Sequence, residues 1–107
     1  MWNPFESGKT LGQRGSEAGE IIRDDEHSLG ARITLEKATR SAPFAITCGI
    51  YSWMFHTRFF ATEEEAASGY DKMKVSLAEI VAPFENPDYD DRLFTENAIE
   101  KFVAHYP

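Results

Sequence analysis

"FAITCGIYSWMFHTRFF" (Phe44–Phe60) is the stretch on which the fold turns. It holds the only cysteine, a histidine, an arginine and six aromatic residues, with one Gly and no Pro. As a single strand its 17 residues would run roughly 55 Å, too far for a small domain. The alternation also changes phase. Phe44, Ile46, Cys48 and Ile50 are even-numbered, whereas Tyr51, Trp53, Phe55 and Phe59 are odd. A hairpin with a two-residue turn at Tyr51-Ser52 answers both points. Ile50 then faces Trp53, Cys48 faces Phe55, Ile46 faces Thr57 and Phe44 faces Phe59, and directly opposed residues share a face. A single strand bent by a bulge near Gly49 is the competing reading, since Tyr-Ser lacks the Gly or Asn that two-residue turns prefer.

In the hairpin the other face carries Thr47, Tyr51, Met54, His56 and Arg58. Met, His, Arg and aromatic groups together make a candidate partner or ligand face. Cys48 and His56 fall on opposite faces, which separates the one thiol from the one nearby imidazole. A Cys–His nucleophile needs them within hydrogen-bond reach, so Cys48 is expected to be a buried, inert thiol.

Upstream, "EIIRDDEH" (20–27) and "ARITLEKAT" (31–39) flank Gly30, which suits a hairpin turn. Ala31, Ile33 and Leu35 alternate with Arg32, Thr34 and Glu36, the pattern of a strand with one wet face. The charged first segment reads as an edge strand. It also raises an alternative, a metal or acid–base site built from Asp24, Asp25, His27 and His56. Such a site needs three or four convergent ligands, and adjacent strand residues point to opposite faces.

Downstream, Thr62 and Glu65 form a capping box. Ala66, Tyr70, Met73, Leu77, Ile80 and Phe84 then recur on one helical stripe that Pro83 ends. Gly69 lies on that stripe, and close approach to the sheet aromatics would compensate its helical cost. After "NPDYDD" (86–91), whose spacing lacks the Gly and distal Glu of a calcium loop, residues 92–106 read as a last helix. Its cap is Asp90 or Asp91, and Phe94, Ala98, Ile99, Phe102 and Val103 face inward.

The predicted fold is α+β: a four-stranded antiparallel meander, ββββαα, with two helices packed on one face as a two-layer sandwich. The Gly-rich residues 1–18 are expected to be a flexible or irregular segment, and residues 19–107 one domain. In size and texture, though through no motif, the chain resembles the small α+β proteins common in bacteria.

Composition narrows function. Eleven basic against eighteen acidic residues give a net charge of −7, which argues against nucleic acid and anionic membranes as partners. No apolar run is long enough for a membrane span, and the N-terminus lacks the pattern of a signal peptide. One cysteine cannot form an internal disulfide and suits a reducing, cytoplasmic setting. "GQRGSEAG" (12–19) lacks the strand and lysine of a phosphate loop. The expectation is a non-enzymatic module that binds a protein partner or itself as a homodimer, without cofactor. The rival is a small-ligand or metal-assisted enzyme using the Asp24, Asp25, His27 and His56 set.

Overall fold

The computed structural model describes all residues, Met1–Pro107. Five antiparallel strands form one sheet in sequence order. They are β1 (Trp2–Pro4), β2 (Glu20–His27), β3 (Ala31–Lys37), β4 (Phe44–Ile50) and β5 (Met54–Phe60). Two helices follow, α1 (Glu63–Val81) and α2 (Arg92–His105). The α+β class and the two helices agree with the sequence reading. The count of four strands does not, because Trp2–Pro4 adds a fifth at the edge of β2, with Trp2 opposite His27. Three residues are too few to show an alternation, so this strand left no periodic signal.

The core lies between the sheet and α1. Ile33, Leu35, Ile46, Cys48 and Ile50 meet Ala66, Tyr70, Met73, Leu77 and Val81 there. The predicted cap is present: the Thr62 hydroxyl accepts from the Glu65 N–H at 3.2 Å. So is the close approach at Gly69, where an added Cβ would lie 2.7 Å from the Phe60 ring. Helix α2 is capped by Asp91, whose carboxylate accepts from the Phe94 N–H. It packs through Thr95 and Phe102, while Phe94 and Val103, expected inward, are exposed.

Residues 44–60 are a hairpin, but with a three-residue turn. Ile50 pairs with Met54, Cys48 with His56, Ile46 with Arg58 and Phe44 with Phe60. This is one residue away from the predicted register, and a one-residue slip moves every side chain of a strand to the other face. Turn chemistry explains the choice. A two-residue hairpin turn demands positive φ that Tyr-Ser supplies poorly. The longer turn needs one left-handed residue, and Ser52 takes it at φ +70°. Trp53 is thereby released from the ladder. Its N–H bonds the Ile50 carbonyl at 2.9 Å, and its ring stacks on Phe84, centroids 6.1 Å apart.

A thin third layer covers the face of β2–β4 away from the helices. Residues 10–19 lie across it, and Glu36 is their anchor. The Glu36 carboxylate is fully buried and accepts from the Glu17 and Gly19 N–H groups. Gly15 leaves the room this carboxylate occupies, since a Cβ there would stand 2.3 Å from it.

Candidate functional site

The outward face of β5 is set by the register. Phe55, Thr57 and Phe59 point away from the helices, and Phe55 and Phe59 are 72% and 45% exposed. Both were expected in the core. The covering segment reaches β4, where the Ser16 and Thr47 hydroxyls lie 3.4 Å apart, and goes no further. Two large aromatic groups therefore stand on an uncovered strand, and β5 is the last strand of the sheet.

The partner face predicted from Tyr51, Met54, His56 and Arg58 is split by the same slip. Met54, His56 and Arg58 face the helical layer. His56 Nε2 is hydrogen-bonded to the Tyr106 carbonyl, and its ring meets Phe102 edge-on. The Arg58 guanidinium lies over the Phe60 ring, 4.9 Å from its centroid, and 5.7 Å from that of Tyr106. Tyr51 belongs to the turn, and its hydroxyl donates to Glu26 at 2.6 Å. Burial, and then that carboxylate, push the phenol up to about 12.

Cys48 and His56 turn out to be direct cross-strand neighbours on one face, not separated by the sheet. No hydrogen bond joins them, and the His56 Nε2 is engaged by the Tyr106 carbonyl. Burial pushes the Cys48 thiol up to about 12, so thiolate, the nucleophilic form, is scarce at neutral pH. The separation across the sheet read from the sequence is thus corrected, and what disfavours a nucleophile at Cys48 is desolvation, not distance.

Asp24, Asp25, His27 and His56 are not brought together. Asp24 faces the covering segment. It binds the Arg32 guanidinium through both oxygens at 3.0 and 2.7 Å and accepts from the Thr34 and Thr10 hydroxyls. That carboxylate holds Arg32 above its ordinary value, and the guanidinium lies 3.6 Å from the centroid of the Phe5 ring. Asp25 faces the helices, accepting from the Tyr70 hydroxyl at 2.7 Å and lying 3.4 Å from the Lys74 ammonium. His27 sits at the β1 edge. Its Nδ1 accepts from the Leu29 N–H, and its Nε2 lies 3.0 Å from the Met1 amine. Three strand spacings, about 14 Å, separate β2 from His56 on β5. No group of three or more His, Cys, Asp or Glu side chains is arranged to hold a metal ion.

Concave space is divided among shallow hollows. One of about 390 Å³ lies between the covering segment and the hairpin, walled by Gln13, Arg14, Arg32, Tyr51 and Phe55. Another, about 480 Å³, joins Phe59 to the start of α1, where Glu64 and Glu65 line it. Glu64 and Glu65, at a helix N-terminus that favours them, thus share the hollow beside Phe59 with Arg58 and Lys72, whereas the hollow beside Phe55 is lined by Arg14 and Arg32.

Comparison with protein-family models, with curated proteins and with solved structures gives no match. No helix is long and apolar enough to cross a membrane.

The sequence reading missed Phe55, Thr57 and Phe59 as surface residues. The alternation of β5 fits either register. The signal that separates them is the turn, where one left-handed Ser is easier than a Tyr-Ser pair with both residues at positive φ.

Proposed function

We propose that this chain is a non-enzymatic binding module for a protein partner, and that the partner sits on the outward side of β5. The exposure of Phe55 and Phe59 on an uncovered end strand carries this reading. Aromatic groups are enriched where proteins meet, because they bury large area at little cost in side-chain entropy. The candidate acid–base residues point the same way: Asp24, Asp25 and His27 are spent on internal partners. The net charge of −7 favours a basic partner and speeds encounter at low salt. A lone, buried free thiol fits a reducing, cytoplasmic setting.

The test is recovery of a partner from the native cell with tagged protein, wild type against Phe55→Asp, alongside sedimentation equilibrium. The reading expects a basic protein held by wild type and lost in the variant, whose melting temperature is unchanged. Recovery of nothing but the chain itself, sedimenting as a dimer that Phe55→Asp dissolves, would assign the face to a homodimer instead. Equal recovery by both proteins would remove β5 from the account.

A further inference from the structure

We infer that the partner docks as a sixth strand on the free edge of β5, supplied as an extended segment with apolar residues at alternate positions and Lys or Arg at its flank. This rests on the binding-module reading above and adds its geometry.

The two edges of the sheet differ. At one, β1 is three residues long and ends at Pro4, and a short edge strand with a proline is a poor template for pairing. At the other, β5 offers seven residues without Pro or Lys. Its backbone pairs with β4 alone. None of the 19 backbone hydrogen bonds made outside the helices and strands involves Met54–Phe60. The one full charge on β5, Arg58, turns inward over the Phe60 ring, and the backbone edge itself stays open. An edge of this length is a site for strand addition, in which main-chain bonds supply affinity and alternate side chains supply specificity.

Side chains extend the edge on both faces. Outward, Phe55 and Phe59 flank Thr57, so alternate residues of an added strand would meet two exposed rings. Inward, α2 lies over β5, with Phe102 against His56 and Tyr106 against Arg58. Its Ile99 and Val103 flank Phe102 on the helix surface. Val103 is 37% exposed and Ile99 only half-buried. A strand added at this edge would cover apolar surface of both layers.

The position of α2 favours an extended occupant. Antiparallel β5–β5 pairing of two copies puts both helical layers on one face of strands about 4.8 Å apart. There the α2 helices, needing axes roughly 8–10 Å apart, would crowd each other; an extended segment brings no helical layer. The basic flank follows from the net charge of −7 and not from the hollow beside Phe59, where Arg58 and Lys72 balance Glu64 and Glu65.

A display library of random short peptides, selected on the full chain and counter-selected on Phe55→Asp, supplies the probe. The enriched peptide is resynthesised with single N-methyl groups along its backbone, and each version is titrated against wild-type protein. The inference expects alternating apolar residues with a basic flank, and a loss of about tenfold or more at every second position only. This needs no variant of the protein in the scan, so misfolding cannot imitate it. A uniform or helical-period N-methyl profile, in a peptide that still depends on Phe55, would overturn strand addition and leave the binding module standing. If no selected peptide depends on Phe55, both readings fall.

Discussion

Replacing Phe55 and Phe60 one at a time by Ala turns the register of the hairpin into a difference of stabilities. Phe60 is 8% exposed, and its ring fills the space that Gly69 leaves open on α1. Truncating it removes a buried aromatic and leaves a cavity, a change that costs about 3–5 kcal/mol. Phe55 is 72% exposed. Full burial of a Phe side chain contributes about 1.5–3 kcal/mol, so the covered fraction is worth under about 1 kcal/mol, and no cavity forms. Urea unfolding followed by circular dichroism reads both. With a slope near 1–1.5 kcal/mol/M for a chain of this size, the midpoint should fall by about 2 M or more for Phe60→Ala and by under about 1 M for Phe55→Ala. In the other register Phe55 is buried and Phe60 faces out. A loss of about 3 kcal/mol for Phe55→Ala beside a near-neutral Phe60→Ala would therefore refute the hairpin as described.

Three further outcomes follow from the buried groups. Cys48, its thiol pushed up to about 12 by burial, should react with a thiol reagent slowly in native protein and rapidly in denaturant; fast native labelling would place it at the surface. Glu36→Ala should leave the Glu17 and Gly19 N–H groups unpaired, at about 1–3 kcal/mol, and speed tryptic cleavage after Arg14; unchanged cleavage would mean that residues 10–19 are held by something else. His27 lies below its ordinary 6.5 because burial, and then the terminal ammonium, disfavour its charged form. Its contribution to stability is complete above pH 6.5 and is lost as pH falls through the lowered folded value, so His27→Asn should flatten the acid limb of a stability–pH curve that wild type shows.

The sequence disclosed those parts of the fold whose pattern has a single solution. The α1 stripe of Ala66, Tyr70, Met73 and Leu77 repeats at a helical spacing that no strand shares. Gly69 could be placed against an aromatic ring because a mid-helix glycine on a buried face calls for one. In β3 the inner residues Ile33 and Leu35 were legible, but Glu36 was not. It alternates as a solvent-facing residue and is nevertheless buried, because a Gly-rich segment with no periodicity of its own lies across it. For β5 the pattern had two solutions, since aromatic residues at Phe55 and Phe59 and at Phe60 supply apolar groups to both faces. The decision rested on the backbone of Ser52, one residue whose left-handed conformation moved Phe55 from the core to the surface. The same decision took Met54, His56 and Arg58 from the expected partner face to the helical layer.

Amide hydrogen exchange along β5, measured by NMR at a concentration where the chain is monomeric, tests the open edge itself. A strand paired on one side protects every second amide and leaves those between in contact with water. The account predicts slow exchange throughout β3 and β4, and strict alternation of slow and fast amides from Met54 to Phe60. Uniform protection along β5 would show an edge already covered and would contradict it.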